Sequence, residues 1–103
     1  MNVLVSFLDR HPSEQIAWFA RRSLIFALDR FAPRIREVAV RVRDENGPRG
    51  GVDQHCSLEI KLVGAADIHM HDIDASAEKC VHRLAKKASR LLARVLHKQG
   101  AKR

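Results

Sequence analysis

The chain has 103 residues, 46% of them hydrophobic, with Leu, Ile and Val throughout, so it can build one core and reads as a single domain spanning residues 1–103. Its formal net charge is +7, and the distribution is one-sided: residues 79–103 hold nine Lys/Arg and no Asp or Glu, while the other 78 residues are slightly acidic. Two Cys exclude a secreted disulfide framework, and no apolar run approaches the roughly 20 residues of a membrane span. The start, Met1 to Pro12, has no charged leader and no long apolar stretch, so no signal peptide is expected and a reduced, cytoplasmic setting is.

In chain order, residues 2–8 place Val3, Val5 and Phe7 on one face of a short strand. His11-Pro12-Ser13-Glu14 is helix-start chemistry, and Ile16, Ala20, Leu24, Ala27, Leu28 and Phe31 follow at three- and four-residue spacing, with Pro33 expected to end the helix. Residues 36–44 alternate, Val38, Val40 and Val42 against Glu37, Arg41 and Arg43. Asn46-Gly47-Pro48 and Gly50-Gly51 supply a turn. Cys56, Leu58, Ile60 and Leu62 then alternate with Ser57, Glu59 and Lys61, and after a turn at 64–67, Ile68 and Met70 alternate with His69 and His71 in a short fourth strand. Asp74 or Ser76 caps a last helix whose core face is Ala77, Val81, Leu84, Ala85, Ala88, Leu92 and Val95.

The expected order is therefore β-α-β-β-β-α. Strand one reaches strand two by a right-handed parallel crossover, and the last three strands form an antiparallel meander. Alternating strands need one covered face and the two helices supply the cover, giving an α+β fold with a four-stranded mixed sheet and both helices on one side. Arg41, Arg43, Glu59, Lys61, His69 and His71 are expected on the open face.

On the last helix, Lys79, Arg83, Lys86, Lys87, Arg90, Arg94 and His97 fall within about 100° of one another, opposite the core face. A solvated helix face normally mixes signs, but this helix has no carboxylate after Glu78. Like charges at four-residue spacing repel by a few tenths of a kcal/mol per pair. The stripe therefore points to a polyanion, most simply RNA or DNA, and not to a membrane, since no exposed aromatic edge accompanies it. Replacing Arg83, Lys87 and Arg90 by Gln is expected to hold or slightly raise stability by relieving that repulsion.

Trp18 and Ile25 point away from the core face of the first helix and offer a surface for weak self-association or a partner, whereas Phe26 is expected to be taken up by a wide core contact. His69 and His71 share a strand face, but two imidazoles without a third ligand make no metal site. Cys56 and Cys80 occupy apolar phases and read as small core residues. No nucleophile–base set, paired-carboxylate site or phosphate loop is present, so no catalysis, small-molecule substrate or cofactor is expected.

Three features together resemble one family: the β-α-β-β-β-α order, the stretch Asp44-Glu45-Asn46-Gly47-Pro48-Arg49-Gly50-Gly51-Val52-Asp53 with Cys56 beyond it, and the helix carrying Asp74, Ala77, Cys80, Val81, Arg83, Lys87, Arg90 and Arg94. The chain is similar over almost its whole length to the short bacterial ribosome hibernation-promoting factors, which include protein Y. The resemblance implies a double-stranded-RNA-binding-like fold with an added strand, and binding to the small ribosomal subunit in the channel used by mRNA and tRNA, with ribosome hibernation under stress as the result. It also implies that Arg83, Lys86, Lys87, Arg90 and Arg94 face ribosomal RNA, with Arg21 and Arg22 as weaker candidates. The alternatives are a free RNA-binding module of double-stranded type and a protein-interaction adaptor using the Trp18/Ile25 surface.

Overall fold

The computed structural model describes residues 1–44 and 53–101, with backbone only from 98 to 101. The turn residues read at 45–52 lie outside the described residues. The order is β1 (Val3–Leu8), α1 (Glu14–Leu28), a 3-10 turn (Asp29–Arg34), β2 (Ile35–Asp44), β3 (Gln54–Leu62), β4 (Ile68–Asp74) and α2 (Ala77–Ala101). The strands form one sheet in the order β1-β2-β3-β4. β1 runs parallel to β2, with Val5 opposite Val40; β2 and β3 are antiparallel, with Val40 opposite Leu58, and so are β3 and β4, with Leu58 opposite Met70.

That register puts all the alternating apolar positions on one face. Val38, Val40, Val42, Cys56, Leu58, Ile60 and Leu62 are buried in a single cluster with Ala20, Leu24 and Leu28 of α1 and Val81, Leu84, Ala88 and Leu92 of α2. Both helices cover this face, as the pattern requires. The opposite face is open and holds Arg41 and His69, both exposed, and the half-buried Glu59.

Ser13 caps α1, its hydroxyl accepting from the Ile16 N–H at 3.2 Å. Pro33 does not end α1 directly. The α-helix stops at Leu28 and the chain tightens into the 3-10 turn, which contains Pro33. A proline ring clashes with the carbonyl four residues back in an α-helix, and the shorter 3-10 pattern avoids that contact. Arg34 then straps the far end of β3, its guanidinium donating twice to the Val63 carbonyl at 3.0 and 3.3 Å while its own carbonyl accepts from the Val63 N–H. Gly64 follows in the left-handed region at φ +72, where a side chain is disfavoured.

Phe26 corrects an expectation. It is not taken up by the core but is 89% exposed, more so than Trp18 at 60% or Ile25 at 42%. At 100° per residue it lies about 200° round α1 from Leu24, and the buried stripe of Ala20, Leu24 and Leu28 is too narrow to reach it.

Candidate nucleic-acid interface

The start of α2 is built by two side chains. Asp74 Oδ1 accepts from the Ser76 N–H at 2.9 Å, and Ser76 Oγ accepts from the Lys79 N–H at 3.2 Å. Both residues read as cap candidates take part: Ser76 caps and Asp74 shapes the turn before it. From there Ala77, Cys80, Val81, Leu84, Ala85, Ala88 and Leu92 are buried in succession, and this fixes the rotation of the helix. Lys79, Lys86, Lys87, Arg90, Arg94 and His97 consequently face outward and are exposed. Val95, expected on the core face, is only half-buried.

Arg83 belongs to the stripe by phase but not by partner. Its Nε donates to Asp72 Oδ2 at 2.7 Å, its Nη1 to Asp74 Oδ2 at 2.8 Å and its Nη2 to the Ile73 carbonyl at 3.0 Å. Lys87 Nζ lies 3.6 Å from the same Asp72 oxygen. Asp72 and Asp74 point to the helix side of β4, the edge strand, where they meet the flank of α2. The Arg83 guanidinium holds the Asp72 carboxyl down at about 2, against an ordinary 3.8. The Ser76 N–H and then Arg83 lower Asp74 as well, and the two carboxylates push Arg83 further up.

The helix has no carboxylate after Glu78, but the neighbouring strand supplies two. The expected gain or neutrality in stability on replacing Arg83 is corrected for that reason: the side chain ties α2 to β4. By contrast Lys86, Arg90 and Arg94 make no ion pair or side-chain hydrogen bond among the described residues. The α2 cations without such a partner among the described residues are thus Lys79 near its start and Lys86, Arg90 and Arg94 further along.

α1 and α2 pack side by side. Arg22 stands on the outer face of α1 with its guanidinium 5.2 Å from the Trp18 ring centroid. Arg21 is on the other flank: it lies about 60° round α1 from Leu24 in one direction, while Ala27, which lines the groove against α2, lies about 60° in the other. Arg30 bridges the helices by donating to Ser89 Oγ at 3.4 Å and covers Phe31 at 4.5 Å. Trp18, Arg22 and Phe26 therefore adjoin Lys86 and Arg90 across an open groove, so exposed aromatics do border the basic face, contrary to the expectation that none accompanies it.

The histidines of the open sheet face have other neighbours. His69 Nε2 lies 3.4 Å from Glu59 Oε2, while His71 meets His55, their ring centroids 5.5 Å apart. Among the described residues no three His, Cys, Asp or Glu side chains converge to hold a metal. Cys56 and Cys80 are fully buried free thiols, and burial pushes both above the ordinary thiol value. Among the described residues no helix is long and apolar enough to cross a membrane.

The fold is an α+β fold of the kind seen in a ribosomal subunit interface protein. A ribosomal subunit interface protein from Coxiella burnetii superposes with a TM-score of 0.77 at 14% identity, covering 94% of this chain and 99% of that one. The N-terminal domain of protein Y from Thermus thermophilus superposes with a TM-score of 0.70, also at 14% identity, covering 92% of this chain and 99% of its own. The likeness is one of fold, and it is to structures of the kind that the stretch from Asp44 to Cys56 and the last helix resemble in sequence. No family model matches the chain, and no curated protein matches it.

Proposed function

We propose that this chain is a ribosome-associated translation inhibitor of the hibernation-promoting kind. It binds the small ribosomal subunit in the cytoplasm through the outer face of α2, occupies the channel used by mRNA and tRNA, and catalyses no reaction. The observation that carries the reading is the set of unpaired cations Lys86, Arg90 and Arg94, on a fold shared with a ribosomal subunit interface protein. Their affinity for ribosomal RNA comes from neutralising phosphates and displacing counterions. Specificity comes from fitting folded RNA, whose helices show their shape and phosphates more than their base edges. Lys79 and Lys87 extend the face toward the sheet. Arg83 contributes by holding the helix in place, and Arg22 borders the face on α1.

The test is co-sedimentation with purified small subunits over a range of salt. Saturable binding that weakens steeply with salt, and that excess duplex RNA does not compete away, supports the proposal. Full competition by duplex RNA would instead make the chain a free RNA-binding module, and salt-insensitive capture of a protein would make it an adaptor. Sedimentation of a stationary-phase lysate, probed for the chain, then tests whether idle ribosomes carry it.

A further inference from the structure

The groove between the helices carries features that phosphate neutralisation does not use. Three large apolar side chains of α1, Trp18, Ile25 and Phe26, are exposed along it, and Phe26 is nearly free of the protein. A small domain gains nothing in stability from a phenylalanine held in water. Trp18, Arg22 and Phe26 recur every four residues, so Trp18 and Phe26 are about 12 Å apart along the helix axis, with the Arg22 guanidinium over one face of the Trp18 ring at 5.2 Å. Lys86 and Arg90 of α2 form the opposite wall, and among the described residues Asp29 is the one carboxylate lining the groove.

This alternation selects among occupants. A partner helix presents a continuous apolar ridge and needs a continuous apolar floor. Here a cation interrupts the floor and further cations face it. A duplex offers phosphates but keeps its bases stacked inside, leaving both rings unused. The groove, of about 1130 Å³, lies at the upper end of the roughly 300–1,000 Å³ typical of small-molecule sites, room enough for more than one nucleotide. Single-stranded nucleic acid supplies what the groove lacks, π-faces for the rings and phosphates for the cations.

We propose that the groove between α1 and α2 binds unpaired nucleotides of RNA, with bases stacking on Trp18 and Phe26 and the intervening phosphates held by Arg22, Lys86 and Arg90. The inference rests on the RNA partner proposed above and adds to it a preference for nucleotides displaced from a helix. It also assigns the exposed face of α1 to RNA and not to a second copy of the chain.

The chain has one Trp and no Tyr, so its intrinsic fluorescence reports Trp18 alone. Titration with a short single-stranded oligoadenylate should quench that emission saturably. A blunt RNA duplex at equal phosphate concentration should not, nor should an amphipathic Glu/Leu peptide. Phe26→Ala removes an exposed ring, so the melting temperature should hold while affinity for the oligoadenylate falls roughly five-fold or more, the lower end of what one base stack supplies. Its salt dependence should not change, because the substitution removes no charge. Trp18→Leu, followed by anisotropy of labelled oligoadenylate, should behave alike. The inference is overturned if the duplex or the peptide quenches as well as the oligoadenylate, or if neither variant weakens oligoadenylate binding. Small-subunit binding that survives unweakened in both variants would leave the ribosome reading standing and remove this one. Oligoadenylate binding that fails in both variants, in a protein that never sediments with subunits, would do the reverse.

Discussion

Two substitution sets separate charge that meets phosphate from charge that holds the fold. In the first, Lys86, Arg90 and Arg94 are changed together to Gln. All three are exposed and unpaired among the described residues, and Gln is nearly as good a helix former, so the melting temperature should stay level or rise slightly as like charges are removed. Removing one cation that pairs with a phosphate takes about 0.7–0.9 from the log–log dependence of affinity on salt, so removing three takes about 2–3. In the second, Arg83 alone is changed to Gln. Its charge is offset by Asp72 at 2.7 Å and Asp74 at 2.8 Å, so it displaces few counterions and the salt slope should fall by well under about one. Stability should fall instead, because Asp72 and Asp74 are left facing each other with only Lys87 near Asp72.

The assay is equilibrium binding to purified small subunits from about 50 to 200 mM salt, the range over which phosphate pairing shows most clearly, with a thermal melt of each variant. The reasoning is refuted if the triple variant keeps both its slope and its affinity, since the free cations would then touch no phosphate. It is refuted equally if Arg83→Gln leaves the melting temperature unchanged and removes as much slope as a free cation does.

The clamp also sets an acid limit. Asp72 is held at about 2 in the folded chain against an ordinary 3.8, so its carboxylate stabilises the fold above about pH 4, and that contribution should disappear as pH falls toward about 2; Asp72→Asn should flatten stability across that window in acid titrations followed by circular dichroism. Leu84, 1% exposed between helix and sheet, should cost about 2–5 kcal/mol on change to Ala, measured by chemical unfolding. Cys56 and Cys80 are buried and their thiolates disfavoured, so both should react with a thiol reagent only at the rate of unfolding, and fast labelling in native buffer would contradict their placement.

The fold was legible because its pattern is local. Val38, Val40, Val42, Leu58, Ile60 and Leu62 alternate, and a strand offers only two faces, so one assignment fixes all six. The crossover between β1 and β2 and the meander after it then follow from connection lengths. The partners of Arg83 were not legible in the same way. A helical projection shows which residues share a face of one helix, but not what the adjoining strand brings up beside them. Asp72 and Asp74 continue the alternation of Ile68 and Met70, but the fourth strand was expected to be short; β4 runs on to Asp74, and with Asp72 opposite Cys56 both carboxylates lie on the helix side. Phe26 is different. Its position about 200° from Leu24 was present in the spacing, and only an assumption of wide burial hid it.

The division of α2 into two halves also orders the roles of its residues. Buried contacts run from Ala77 to Leu92, and the Arg83 clamp lies near the middle of that run, beside the edge strand. Beyond Leu92 no residue of α2 with a described side chain is fully buried, so the direction of Arg94 is set by how the first half is held. Arg94 lies eleven residues past Arg83, about 16 Å along the helix, and a small tilt at the clamp becomes a larger displacement there. Phosphates in a folded RNA are fixed in space, so cations serve them only if their own positions are fixed too. Two carboxylates of β4 hold Arg83 out of the binding charge and give α2 a fixed starting angle. Of the unpaired cations, Lys86 and Arg90 stand further along the helix, next to the groove that carries Trp18 and Phe26. On the proposed reading, anchoring, phosphate contact and base stacking thus fall to different residues of one helical layer.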